Sequence, residues 1–203
     1  EKDGIVYGNS FTSDVNVRRA INLAIDREEM IDNVLNGYGT VAYSVCDKMP
    51  WYNDAAETEY DLEEAKRLME EAGWVEGEDG IREKDGEKAE LTLMLSNGDS
   101  VRQALAEDTA NQLRELGIEV TTEGVGWDTA YDRAQSDALM WGWGAHTPME
   151  LYNLYHTMSD TGLAQYSPYA NETVDQYMDE ALKSSDLESS YELWKKAQWD
   201  GST

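Results

Sequence analysis

A single cysteine, Cys46, excludes an intrachain disulfide and any cysteine-rich metal site. It fits a reducing compartment and equally an exported protein that uses no disulfides. Basic residues are scarce as well: 16 Lys and Arg stand against 42 Asp and Glu, a formal net charge of −26. Neutralising phosphates takes clustered Lys and Arg, and no such cluster occurs, so nucleic acid is not an expected partner. The anionic balance favours cations electrostatically, although a solubilising surface explains it without any ligand. No apolar run approaches the roughly 20 residues of a membrane span, and no charged-then-apolar signal stands at the start. The expectation is a soluble, globular chain. Opening on Glu1-Lys2-Asp3-Gly4 and stopping at Gly201-Ser202-Thr203, it reads as a piece of something longer, so the missing signal says little about location.

The catalytic signatures are missing too. There is no nucleophile elbow, no phosphate-cradling GxxxxGK[ST] loop and no HExxH pair. Carboxylate pairs carry no information among 42 acids. An enzyme is not expected.

What is present is organised around Met140-Trp141-Gly142-Trp143-Gly144-Ala145-His146-Thr147-Pro148, followed by Tyr155-His156. An apolar strand opens there into glycines flanking two tryptophans and then releases a histidine. Glycine beside an aromatic lets a ligand or another backbone approach closely, and ligands of open α/β sheets gather where strands end. Trp141 and Trp143 alternate in direction if they share a strand, so at most one should face a ligand while the other enters the core. Both histidines of the chain lie in this region, ten residues apart. Neutral imidazoles bind nickel, copper or zinc, which makes His146 and His156 the metal candidates, with surface or helix-capping roles as the alternative.

Around this stretch the periodicity is readable. Val17, Ala20, Ile21, Ala24 and Ile25 recur on one helical face after a capping Asp14, and Asp26-Arg27-Glu28-Glu29 marks a break before a second helix ending at Gly37. Residues 37 to 60 read as an ordered loop pinned by Tyr43, Trp51, Tyr52 and Tyr60. Asp61 with Glu64 forms a capping box ahead of Leu62, Ala65, Leu68, Met69 and Ala72. Residues 77 to 90 read as an exposed turn or a hairpin through Asp85-Gly86. Leu91, Leu93 and Leu95 alternate as a strand. Ser100 with Gln103 caps a helix carrying Val101, Leu105, Leu113 and Leu116, and Ile118 and Val120 start the next strand. A short helix over 127–135 and a strand over 138–141 complete an α/β layer. Helices follow from Glu150, from Thr173 with Gln176 as its cap, and from Asp186 through Trp194. Asn171-Glu172-Thr173 matches a glycosylation sequon, but its expected job is to start a helix. No repeat or low-complexity linker appears, so a single domain is the economical reading.

Three segments together resemble the solute-binding proteins of peptide and nickel ABC transporters, family 5. They are Val17-Arg18-Arg19-Ala20-Ile21-Asn22-Leu23-Ala24-Ile25-Asp26-Arg27, the run from Tyr60 to Trp74 with Asp61-Leu62-Glu63-Glu64-Ala65, and Gln112-Leu113-Arg114-Glu115-Leu116-Gly117-Ile118-Glu119-Val120. The resemblance implies an α/β fold, one lobe of a type II periplasmic-binding-protein-like architecture with a sheet flanked by helices. On that basis residues 1–203 form a single C-terminal ligand-binding lobe of a longer two-lobe protein whose first lobe is absent. It further implies an extracytoplasmic receptor, periplasmic or a cell-surface lipoprotein, that captures an oligopeptide, dipeptide or nickel chelate and hands it to a permease. No resident cofactor is implied; nickel enters as cargo.

In peptide-binding relatives an aspartate in the stretch matching Gly142 to Pro148 meets the peptide's amino terminus, and His146 stands there instead. In nickel-binding relatives a Trp-Gly-Ala run lines the cleft, matched by Trp143-Gly144-Ala145, and a histidine farther on reaches the metal complex, matched by His156. Arg133 is the candidate for a ligand carboxylate. The ligand-binding set is therefore Trp143, His146, His156, Arg133 and Trp141. The competing reading is a non-catalytic α/β interaction domain with no small-molecule ligand, its aromatics belonging to the core.

Overall fold

The structure is a computed structural model, and it describes residues 8–134, 136–142, 144, 146–157 and 169–201. The chain divides into two compact units: residues 1–41 with 58–141, and residues 42–57 with 142–203. A single lobe was the expectation from sequence. The division arises because the loop expected over 37–60 leaves the first unit after residue 41 and packs with the C-terminal helices before returning at 58.

The first unit begins with α1 (Val15–Leu23) and α2 (Arg27–Leu35). Asp14 caps α1 by accepting the Asn16 N–H, as the sequence suggests, and at the expected break Asp26 caps α2 by accepting the Glu29 N–H. A third helix, α3 (Leu62–Glu71), starts at Asp61, whose carboxylate accepts the Glu64 N–H. Only that half of the expected capping box forms. The Asp61 N–H bonds to the Leu23 carbonyl at 2.9 Å, tying α3 to the end of α1, and the Glu64 carboxylate turns to Arg67 instead.

Next comes a small antiparallel sheet, β1 (Val75–Glu76), β2 (Arg82–Lys84) and β3 (Glu87–Lys88). Asp85 and Gly86, both at positive φ (54° and 86°), make the tight turn between β2 and β3. Arg82 is buried here: its Nε donates to the Leu116 carbonyl and its Nη1 to the Trp74 carbonyl, both at 2.8 Å. One guanidinium thus satisfies carbonyls beyond two helix ends, groups that would otherwise be buried without donors.

The main sheet is parallel, with β4 (Glu90–Ser96) between β5 (Glu119–Val125) and β6 (Ala138–Leu139). The helix α4 (Ser100–Glu115) joins β4 to β5, and α5 (Trp127–Arg133) precedes β6. Leu91, Leu93 and Leu95 are buried as their alternation predicts, while Met94 on the opposite face packs with Val125 and Ala130. Burial on both faces is what a parallel strand covered by helices requires. The largest core among the described residues joins α1, α3, α4 and the sheet around Trp74, whose ring meets that of Phe11 edge to face with centroids 4.8 Å apart.

The second unit holds a short 3₁₀ turn (Asp54–Ala56) and the helices α6 (Met149–Tyr155), α7 (Glu172–Leu182) and α8 (Leu187–Gln198). Its core gathers Cys46, Trp51, Leu151, Met178 and Trp194. Side-chain amides strap the 42–57 segment to α8. Gln198 donates to the Trp51 carbonyl at 2.6 Å and accepts the Asn53 N–H at 3.2 Å, while Asn53 Nδ2 donates to the carbonyls of Lys195 and Trp199.

Four local expectations are corrected. The cap of α4 is Asp99, not Ser100, and that of α7 is Asn171, not Thr173. In each case the residue with the extended backbone is the earlier Asp or Asn, whose side-chain oxygen reaches the free N–H groups of the first turn. The role expected for Asn171, starting a helix, is the one it has: its Oδ1 accepts the N–H of Thr173 and Val174. Val101 and Tyr60 are exposed rather than packed; α4 buries the face bearing Ala106, Thr109 and Leu113.

Candidate functional site

In the first unit, the carboxyl ends of β5 and β6 are marked by aromatic rings. Val125 ends β5, Gly126 turns the chain, and Trp127 opens α5; Trp141 lies two residues beyond β6. The ring centroids of Trp127 and Trp141 are 4.9 Å apart, and Tyr131, one helical turn along α5, lies 6.0 Å from Trp127 and 6.4 Å from Trp141. Trp127 and Tyr131 are 43% and 42% exposed and Trp141 is half-buried. Large rings in mutual contact yet open to solvent form a platform, not a core. Of the two tryptophans singled out in the sequence, Trp141 therefore joins a surface cluster. Trp143 lies outside the described residues.

Trp127 and Tyr131 escaped the sequence reading. The available signal was their i, i+4 spacing on a helix that begins immediately after a buried strand.

At the end of β4 the strand runs into Asn97-Gly98-Asp99. A polar recess of about 130 Å³ lies there, lined by Ser96, Asn97, Asp99, Gln103, Thr122 and Gly124 among others. A Cβ on Gly124 would come within 2.8 Å of Asn97 Oδ1, so the neighbouring loop depends on the bare backbone at that position.

Arg133 sits at the end of α5. Its Nη1 donates to Glu123 at 2.7 Å, while Nε and Nη2 reach Asp137 Oδ2 at 2.8 and 2.7 Å. These two carboxylates raise the guanidinium pKa further above its usual range. The arginine expected to meet a ligand's carboxylate is thus engaged on two sides by carboxylates of its own unit. With exposed Asp128 and Asp132 on the same helix, the surroundings of the platform are anionic.

The two histidines belong to the second unit and have different surroundings. His146 is exposed, at the start of the turn leading into α6. His156 is buried at 5% exposure and closes α6, its N–H bonded to the Tyr152 carbonyl at 3.0 Å and its ring stacked 4.1 Å from that of Tyr152. Its Nε2 lies 3.4 Å from Asp179 Oδ1 and 4.0 Å from Asp175 Oδ1, both carboxylates on α7. The next residue continues the tie, since the Thr157 N–H donates to Asp175 at 2.9 Å. His156 is thus the buried C-cap residue of α6, with its ring set beside the carboxylates of α7. Among the described residues no group of three or more His, Cys, Asp or Glu is arranged to hold a metal ion, and no helix is long and apolar enough to cross a membrane.

Open α/β sheets gather ligands where their strands end, and the aromatic platform lies at that position of this sheet. The chain belongs to the bacterial extracellular solute-binding proteins, family 5, whose middle-region model matches residues 5–165. It is 34% identical over 188 residues to the oligopeptide-binding protein AppA of Bacillus subtilis, covering 88% of this chain and 35% of that protein. To Protein XP55 of Streptomyces lividans it is 39% identical over 181 residues, covering 86% of this chain and 33% of the relative. The AppA crystal structure with a nonapeptide superposes with a TM-score of 0.82 at 30% identity, over 96% of this chain and 41% of that one. NikZ of Campylobacter jejuni in complex with Ni(L-His) gives a TM-score of 0.82 at 26% identity, over 94% and 40%. The chain spans about a third of the length of the curated relatives it matches.

Proposed function

We propose that this chain is the C-terminal ligand-binding lobe of a substrate-binding component of an ABC transporter. In this reading both compact units belong to that lobe. The receptor works outside the cytoplasm, as a periplasmic protein or a cell-surface lipoprotein, captures oligopeptides or dipeptides against its other lobe, and delivers them to the permease. No step of this work is catalytic.

The observation that carries the reading is the platform of Trp127, Tyr131 and Trp141 at the strand ends. Exposed rings pack against peptide side chains of many kinds, because dispersion acts between any atoms in contact. The anionic surroundings, with Asp128, Asp132, Glu123 and Asp137 against Arg133, favour a ligand that presents its ammonium group there. That supports a peptide's amino terminus over its carboxylate as the end that approaches α5.

A second reading, a nickel chelate as cargo, is favoured by the likeness to the nickel–histidine-bound NikZ. In that reading the contacts from this chain come from Trp143 and the exposed His146, with the chelator supplying further donors. Buried His156 is a poor candidate, since ligation would require it to leave Asp179 and the ring of Tyr152.

Calorimetric titration of the full-length receptor with a mixed peptide pool, and separately with nickel plus free histidine, tests both. Saturable heat with peptides alone is expected. Heat with the nickel–histidine complex alone would reverse the choice, and no saturable heat with either would sink the receptor reading in this form.

A further inference from the structure

The second unit contains a recess that the strand-end site does not use. It measures about 310 Å³ and opens between the 42–57 segment and α6, α7 and α8. Val45, Leu151 and Val174 supply apolar wall, and Tyr43, Tyr155 and Tyr169 supply aromatic rings. Among the described residues that line it, none is Asp, Glu, Lys, Arg or His. Gln198 borders it, but its amide is committed to the Trp51 and Trp194 carbonyls and to the Asn53 N–H. A smaller recess of about 110 Å³ shares Tyr169, Val174, Ala197 and Gln198 with it and carries Lys196 and Asp200 in its own lining.

We propose that this recess binds a small neutral aromatic molecule of one or two fused rings, as a site separate from the strand-end platform.

Three features select that chemistry. The volume falls at the lower end of the range of about 300–1,000 Å³ typical of small-molecule sites. The rings of Tyr155 and Tyr169 already stand edge to face, 6.1 Å apart at 86°, which leaves a ring face and a ring edge for a third aromatic to contact. Because none of the described lining residues is charged, a carboxylate or ammonium would be desolvated there with no counter-ion in that wall, whereas a neutral ring carries no such cost. Tyr155, which lines the recess, is 36% exposed, and burial pushes its hydroxyl pKa above the usual value.

Indole is the probe, with benzoate and benzylamine as charged counterparts of similar ring size, titrated into the full chain and followed by methyl-group NMR. Saturable shifts centred on Val45, Leu151 and Val174 are expected with indole, and binding at least about tenfold weaker with either charged ring. Ala56→Trp, at the half-buried rim outside the main helices, fills the space and should weaken indole binding about tenfold or more with little change in melting temperature. Tyr155→Ala removes a wall ring from a partly exposed position and should weaken it as well, which keeps the test decisive if the first variant folds poorly. The proposal is overturned by the absence of saturable shifts, by shifts centred on Ala130 and Leu139 beneath the strand-end platform, or by wild-type affinity in both variants. None of these results bears on peptide binding by the receptor.

Discussion

Arg133 and Asp137 are joined by a two-point contact, Nε and Nη2 of the guanidinium meeting one carboxylate oxygen at 2.8 and 2.7 Å. With Glu123 on the third side, the pair stitches α5 to β5 and to the turn before β6. The groups are a fifth to a half exposed, so solvent screens the network and it adds little to stability. Arg133→Met should shift the chemical denaturation midpoint only slightly. Peptide affinity of the full receptor should change less than about threefold, by the same weak coupling. A tenfold loss of affinity at unchanged stability would show that Arg133 meets the ligand's carboxylate after all.

The platform predicts the opposite division between stability and binding. Trp127 is exposed and opens α5 without filling the core, so Trp127→Ala should leave the denaturation midpoint nearly unchanged. Losing an aromatic contact and its buried area on the ligand should weaken peptide binding by about tenfold, or 1.4 kcal/mol. Titration calorimetry of variant and parent receptors measures it. Equal affinities would remove the platform from the binding surface.

His146 and His156 are alike in the sequence and unlike in the fold. Truncating His156 leaves Asp179 and the Tyr152 ring without their neighbour beside the buried α6–α7 junction. His156→Ala should therefore destabilise the second unit by about 1–3 kcal/mol through the packing lost with a buried ring. His146→Ala, at an exposed position, should stay within about 0.5 kcal/mol of the parent. Denaturant titration of both variants distinguishes the roles; equal small effects would deny His156 its capping function.

Which of these features could be read from the sequence follows from the range of the forces involved. Asp14, Asp26, Asp61 and Asp186 announce helix starts because a cap is a contact within three residues. Asp99 and Asn171 were harder, since Ser100 with Gln103 and Thr173 with Gln176 offer a competing pattern of the same length, and only backbone geometry decides. The strand of Leu91, Leu93 and Leu95 was legible from its alternation, and the turn at Asp85-Gly86 from its residues. Nothing local announces that Asn53 is strapped to Gln198, 145 residues away, and that strap helps set the division into two units. The platform lay between these extremes: Trp141 was visible in its glycine-rich run, but its partners Trp127 and Tyr131 reach it only through the return of the chain from β5 to β6.

Cys46 is the one thiol, and burial pushes its pKa up to about 11. The unfolded thiol ionises near about 8.5, so the stability this preference for the neutral form contributes is complete below that pH and is lost as pH rises toward the folded value. In the native chain at pH 8.5, iodoacetamide should label Cys46 at least tenfold more slowly than in denaturant, a rough bound from the thiolate fraction. Rapid native labelling would mean that the second core opens readily around Trp51 and Met178.

Acid should destabilise the chain through its helix caps. Asp99 is held below the usual carboxylate range chiefly by the Arg102 N–H it accepts, and Asp186 by that of Ser189. A carboxylate whose folded pKa is depressed contributes its stability in full above the unfolded value of about 3.9 and loses it as pH falls through the folded one. Asp79, paired with Lys88, and Glu64, bonded to Arg67, act in the same direction. The melting temperature should accordingly hold from neutral pH to about 5 and fall steeply below about 4. Asparagine also caps helices but does not titrate, so Asp99→Asn with Asp186→Asn should keep both helices while softening that acid fall. Thermal melts of parent and double variant between pH 3 and 7 decide the matter, because identical slopes below pH 4 would assign acid lability to carboxylates other than the caps.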